Sequence, residues 1–222
     1  MHTDPFDSMR REMVEMIALY VRHGSDNLGK ADLDPQVMDV IGRIPRHEFV
    51  PSELRPFAYF DGPLPIGFDK TISQPFMVAL MTDLLQVATD DSVLEVGTGL
   101  GYHAAILAEL ALAVYTVEII EELAAAAQRN LNRLGYAEVE MRVGDGSRGW
   151  PEHAPFDRIL VCAAPELIPA SLLTQLKPGG RMVIPTGLAD SQQLTLVEKD
   201  ARGKVRTNDI LPVRFSALET YH

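Results

Sequence analysis

Three carboxylates and three glycines in the middle of this 222-residue chain have the types and spacing for ligand chemistry. Glu95 stands two residues before a loop holding Gly97, Gly99 and Gly101, and Glu118 follows Gly97 by 21 residues. Asp145 lies further on, in the turn Gly144-Asp145-Gly146. Glycines let a backbone approach a ligand closely, and a helix opening behind them offers free N–H donors. A carboxylate about twenty residues later, ending the next strand, can accept hydrogen bonds from both hydroxyls of a ribose. Pattern, spacing and order together point to an adenosine-containing ligand.

Charge narrows the choice. A dinucleotide fingerprint places its third glycine five positions after the first. Here Gly101 comes at four, and Tyr102 fills the dinucleotide position. Glu95 would repel a pyrophosphate but suits the ammonium and sulfonium charges of S-adenosylmethionine. Asp145, closing a third strand, is placed to accept from an adenine amino group. The plainer readings are a turn glycine at Gly99 and a solvated strand end at Glu118. Each serves one residue, and neither explains the set.

Elements in matching order must position these groups. SVLEV (92–96) reads as a buried strand entering the loop, and a helix follows over about 102–111. AVYTVE (113–118), EVEMRV (138–143), RILVCA (158–163) and RMVIP (181–185) read as further strands, with helices over about 120–134 and 169–176. Apolar strands separated by helices form a parallel sheet covered on both faces. The expected fold is a doubly wound, Rossmann-like α/β domain. QQLTLVEKD and KVRTNDILPVRF alternate like antiparallel strands joined by a turn at 200–203. Upstream, Met9, Met13, Met16, Ile17 and Tyr20 share one face of a helix over about 9–21. A short helix follows, with Asp34 as N-cap and Pro35 in its first position. Five prolines between Pro45 and Pro65 predict irregular backbone packed over the core, where binding residues often sit.

Composition sets outer bounds. Hydrophobic residues make up 46% and charged residues 23%, an ordinary globular balance. One cysteine, Cys162, excludes an intrachain disulfide and a four-thiolate metal site. The six histidines show no metal-ligand spacing. A net charge of −11 and a pI near 4.9 disfavour phosphate backbones as partners. No run approaches the roughly 20 apolar residues of a membrane span, and the N-terminus lacks an apolar signal core. The expectation is a cytoplasmic monomer with no nucleic-acid or membrane partner.

Further segments extend the pattern. RIPRHEFVP (43–51), DGPLPIG (61–67), TISQP (71–75), GDGSRGWPEHAPFD (144–157) and LKPGGRMVIP (176–185) occur in this order. With LEVGTGLGY (94–102) they resemble the protein-L-isoaspartate O-methyltransferase family over about residues 13–218. TISQP and PLPIG make the likeness specific, since methyltransferases at large share only the glycine loop. The resemblance implies a methyltransferase core over residues 76–222 under an N-terminal helical cap over residues 1–75. It also implies methyl transfer from S-adenosylmethionine to the free carboxylate of isoaspartyl residues in damaged proteins and peptides. The ester then collapses to a succinimide, whose hydrolysis returns some normal aspartate.

In that family the serine of the TIS segment is the active-site residue, which is Ser73 here. The resemblance implies that Thr71, Ile72 and Gln74 around it help enclose the cofactor. The rest of the implied cofactor set is Glu95, Gly97, Thr98, Gly99, Gly101, Glu118, Ile119, Asp145 and Gly146, and no metal is implied. The chain also departs from the pattern. Asp69-Lys70 stands where glycine and glutamine are usual, and Phe68 where histidine is common. Cys162 replaces a frequent threonine, and Glu219 falls near a C-terminal threonine linked to cofactor binding in some members.

The chemistry suits these residues. A carboxylate with an ordinary pKa of about 3.9 is ionised at pH 7, so its methylation needs alignment rather than a general base. The Ser73 hydroxyl is suited to hold it as a neutral donor, not as a nucleophile, since no G-x-S-x-G elbow surrounds it. The plainer role for Ser73 is an N-cap before Pro75. Plain roles also exist for His103 (packing), Trp150 (packing against the cap), Cys162 (a small buried hydrophobe) and Lys70 (a solvated lysine). Two alternatives keep the fold: a carboxyl methyltransferase for a dedicated peptide or small molecule, and a non-catalytic adenosyl-binding protein.

Overall fold

The computed structural model describes residues 5–221, apart from the side chains of residues 26 and 27; His2 and His222 lie outside it. Helix α1 (Asp7–His23) buries Met13, Ile17 and Val21, a four-residue spacing that turns one face inward. It runs two residues past the expected helix at each end. The single turn α2 (Ser25–Leu28) precedes α3 (Pro35–Arg43). As expected, Asp34 caps α3, accepting from Gln36 N at 2.7 Å.

The proline-rich stretch forms two 3-10 turns, Arg46–Phe49 and Ser52–Phe57, and then a hairpin that the sequence reading did not foresee. Strands β1 (Leu64–Gly67) and β2 (Lys70–Ile72) pair antiparallel, with Gly67 opposite Lys70. The two turn residues, Phe68 and Asp69, both adopt left-handed backbone, with φ of 54° and 55°. Hairpin turns of this kind usually carry Asn-Gly or Asp-Gly.

The remaining elements alternate: α4 (Pro75–Leu85), β3 (Ser92–Val96), α5 (Tyr102–Ala108), β4 (Ala113–Glu118), α6 (Glu121–Leu134), β5 (Glu140–Val143), β6 (Phe156–Val161) and α7 (Ala170–Gln175). Then follow β7 (Leu176–Leu188), β8 (Ser191–Lys199) and β9 (Val205–Val213). The sheet order is β5-β4-β3-β6-β7-β8-β9, parallel through β7 and antiparallel beyond. Strand β7 is longer than the expected RMVIP because its far half pairs with β8 in an extended ladder. Successive strand residues face opposite sides of the sheet. Val93 accordingly joins a core with α1, α3, α4 and α5, while Leu94 and Val96 join a second core with Ile159, Val161 and Leu172. Among the described residues, no helix is long and apolar enough to cross a membrane.

The chain runs outward from β3 to β4 and β5, then returns to β6 on the other side of β3. A crevice therefore opens at the carboxyl ends of β3 and β6, the switch point where open α/β sheets bind ligands. The glycine loop lies there.

Candidate active site

A cavity of about 790 Å3 occupies this crevice, a volume suited to a small-molecule ligand. The ends of β3 and β4 form one wall, and the β1–β2 hairpin with the start of α4 forms another. Residues 211–219 complete it. This last segment is seated by Ala164, whose N–H donates to Ser216 O at 2.8 Å and whose carbonyl accepts from Leu218 N at 2.9 Å.

The cavity brings together Thr71, Ile72, Ser73 and Gln74 from one side with Glu95, Gly97, Thr98 and Gly99 from the other. Glu118, Ile119 and Gly146 also line it. Gly101 and Asp145 do not, and each has another task. A Cβ on Gly101 would lie 3.1 Å from Leu131 Cγ, so this glycine lets the loop pack on α6. The Asp145 carboxylate accepts from Ser147 N at 2.9 Å and from its hydroxyl at 2.6 Å, capping a 3-10 turn. Its neighbour Gly146 has no room for a side chain, because a Cβ would stand 2.3 Å from Val96 Cγ1.

Both acids on the strand ends are buried, and they are used differently. Glu118 accepts from Gly99 N at 2.9 Å and Ile120 N at 3.0 Å, which ties the loop to the end of β4. Each oxygen keeps a lone pair for a further donor. Glu95 is fully buried; its Oε2 accepts from the Thr116 hydroxyl at 2.6 Å, and Thr116 in turn accepts from Thr98 at 2.6 Å. Its Oε1 has no partner among the described residues. Burial pushes the Glu95 carboxyl up to about 8, against the Thr116 hydrogen bond that favours its ionised form. An unpaired buried acceptor is costly, and a cationic ligand in the cavity would satisfy it. The residues present thus fit a positively charged adenosyl cofactor.

Ser73 lies between β2 and α4, where the N-cap is Gln74 rather than Ser73. The capping role is therefore excluded. Among the described residues Ser73 is hydrogen-bonded only at its carbonyl, by Arg46 Nη2 at 2.8 Å. Its hydroxyl remains uncommitted on the cavity wall.

A family model for protein-L-isoaspartate(D-aspartate) O-methyltransferase matches residues 26–221. The chain belongs to this family. A curated protein-L-isoaspartate O-methyltransferase 1 from Polaromonas sp. is 61% identical, over 98% of this chain and 92% of its own length. A protein-L-isoaspartate O-methyltransferase 2 from Syntrophobacter fumaroxidans is 56% identical, over 99% and 89%. A solved protein-L-isoaspartate O-methyltransferase structure superposes with a TM-score of 0.79 at 29% identity, covering 94% of this chain and 65% of that one. One from Plasmodium falciparum, described as putative and in complex with S-adenosyl-L-homocysteine, gives 0.76 at 20% identity, over 93% and 98%.

Two residues of the family segments matter more than their types had suggested. Arg46, from RIPRHEFVP, is fully buried; it donates to Ala58 O and Ser73 O, both at 2.8 Å, and its Cζ lies 5.0 Å from the Tyr102 ring centroid. Burial lowers its pKa to about 10, leaving it a cation at neutral pH. Asp61, from DGPLPIG, accepts from Gln74 Nε2 at 2.6 Å and Phe76 N at 3.1 Å, so it fixes the start of α4. Their membership of motifs was the one available signal. Trp150 packs with Tyr115, His153 and Arg142 instead of the cap. Lys70 is not a solvated lysine: it pairs with Glu219.

Proposed function

We propose that this enzyme binds S-adenosylmethionine in the cavity and methylates the free carboxylate of isoaspartyl residues in proteins and peptides, opening their repair through a succinimide. The observation that carries the reading is one cavity holding both an unpartnered buried carboxylate oxygen, Glu95 Oε1, and an uncommitted hydroxyl, on Ser73. The first fits a cation, the second a carboxylate.

When bound, S-adenosylmethionine supplies an electrophilic methyl group on a sulfonium. Glu118 and the glycine loop would hold its ribose side, and Glu95 would meet its charged end. The Ser73 hydroxyl donates to the substrate carboxylate, and Arg46 fixes Ser73 through its carbonyl. Ile66, Ile72, Met77 and Leu211 give that space apolar walls that exclude water. No base is needed, because the nucleophile is already ionised. His103 would be a poor base in any case, since burial lowers its pKa to about 3. Alignment of this kind supplies roughly 7–11 kcal/mol of a barrier.

The pairing of Lys70 with Glu219 weakens the case for a dedicated small-molecule or peptide acceptor, which rested on the altered Asp69-Lys70 segment. We retain residues 1–75 as a cap and 76–222 as the core. The charge of −11 supports a partner list without nucleic acid, and the single thiol fits a cytoplasmic enzyme. The deciding experiment incubates the protein with methyl-labelled S-adenosylmethionine and an isoaspartyl peptide beside its aspartyl twin. Base-labile label is expected on the isoaspartyl form; equal labelling of both would overturn the assignment.

A further inference from the structure

Two side chains beneath the glycine loop have no part in the chemistry above, and a third adjoins them. His103 on α5 and Cys162 just after β6 stand beside Glu95 on β3, and the ligating atoms of the three all lie within 4.8 Å of one another. We propose that this trio binds a thiophilic divalent cation such as Zn2+ through Glu95 Oε1, His103 Nδ1 and Cys162 Sγ, with the fourth position open to the cofactor cavity.

The hydrogen-bond pattern leaves one ligating atom of each group without a partner outside the trio. Thr82 donates its hydroxyl proton to Val78 O at 2.8 Å, so its contact with His103 Nε2, also 2.8 Å, is a bond donated by the ring. That fixes the tautomer with a bare Nδ1, which lies 3.9 Å from Cys162 Sγ. Thr116 holds Glu95 through Oε2, and Oε1 is left without a partner in a side chain that is fully buried. Metal-ligating histidines and carboxylates are characteristically held this way, through the atom that does not touch the ion. One sulfur, one imidazole and one carboxylate match the donor preferences of zinc. Tetrahedral ligands on zinc stand about 3.5 Å apart, so binding must draw the trio together, by up to about 1.3 Å for a pair at the 4.8 Å limit.

Binding changes no oxidation state. The Cys162 thiol releases its proton to solvent as the metal–sulfur bond forms, and Glu95 does the same where it is protonated. Because the thiol must give up its proton to bind, metal affinity rises with pH. Glu95 Oε1 cannot serve the cation and the cofactor's charged end together, which makes the two mutually exclusive. This last consequence rests on the cofactor reading; the metal site itself does not.

Cobalt(II) titration of the full chain tests the site directly. Cys162 is the sole cysteine, so a thiolate-to-cobalt charge-transfer band in the near ultraviolet reports this site alone. One equivalent is expected, with the band bleached by Zn2+ and by S-adenosylhomocysteine. By equilibrium dialysis, Cys162→Thr and the outer-shell change Thr82→Val should each weaken Zn2+ binding about tenfold or more, in protein whose melting curve confirms folding. Absence of the band at saturating cobalt would overturn the site. Unchanged Zn2+ affinity in folded Cys162→Thr would do the same, placing the metal on other side chains. A band that persists under saturating S-adenosylhomocysteine would overturn the exclusion and leave the metal site standing.

Discussion

Lys70 Nζ and Glu219 Oε1 form an ion pair at the edge of the cavity, joining the β1–β2 hairpin to a segment 149 residues further along the chain. Lys70 belongs to the altered Asp69-Lys70 segment, and its partner Glu219 falls near the C-terminal threonine position. The pair is partly exposed, at 22% for Lys70 and 51% for Glu219, so its contribution to global stability is about 0–1 kcal/mol. Its effect is local: it links two of the walls that enclose the ligand.

Charge reversal measures that link. Lys70→Glu alone should weaken S-adenosylmethionine binding a few-fold, about 0.5–1 kcal/mol, and the double reversal Lys70→Glu with Glu219→Lys should recover most of it. Titration calorimetry on the wild type, both single variants and the double variant gives the coupling. Strictly additive losses would show that the two charges act independently.

Ser73→Ala should retain S-adenosylmethionine binding while turnover on an isoaspartyl peptide falls about a hundredfold, the usual loss when one well-placed donor is removed. Binding and turnover are measured on the same preparation. Unchanged turnover would remove Ser73 from the mechanism.

Cofactor affinity should depend on pH through Glu95. Its carboxyl is protonated up to about pH 8 in the free enzyme, whereas a cationic ligand favours the ionised form. Binding below that pH must expel a proton, so affinity falls as pH falls, by up to about tenfold per unit, and levels off above it. Glu95→Gln should flatten the profile. Calorimetry in buffers of different ionisation heat counts the released proton; a flat wild-type profile would mean that Glu95 is already ionised in the free enzyme.

The glycine loop, the alternation of strands and helices and the acids at strand ends were legible because each is a local pattern with a fixed period or spacing. Other parts of the site depend on contacts between distant residues. The hairpin was hidden because Phe68 and Asp69 are not residues that announce a left-handed turn. Arg46 was missed because a charged type predicts exposure, and only the assembled fold shows two carbonyls and the Tyr102 ring waiting for it. Gly101 and Asp145 matched the expected pattern, and the fold shows that packing and capping constrain them as well. A motif records that a position is constrained, without saying by what.

The chain contains two Asp-Gly pairs, Asp61-Gly62 and Asp145-Gly146. Such pairs age readily, because glycine leaves the peptide nitrogen free to attack the carboxyl carbon of the preceding aspartate, with loss of water. Both carboxylates are restrained: Asp61 by Gln74 and Phe76, Asp145 by Ser147. Neither can swing onto the following nitrogen without giving up two hydrogen bonds. These restraints should slow isoaspartate formation in the enzyme's own chain. On prolonged incubation, the folded enzyme should accumulate less isoaspartate at these two positions than peptides copying the same segments, as read by peptide mapping. Equal rates would mean that the restraints give no protection, and that the enzyme would become a substrate for its own kind.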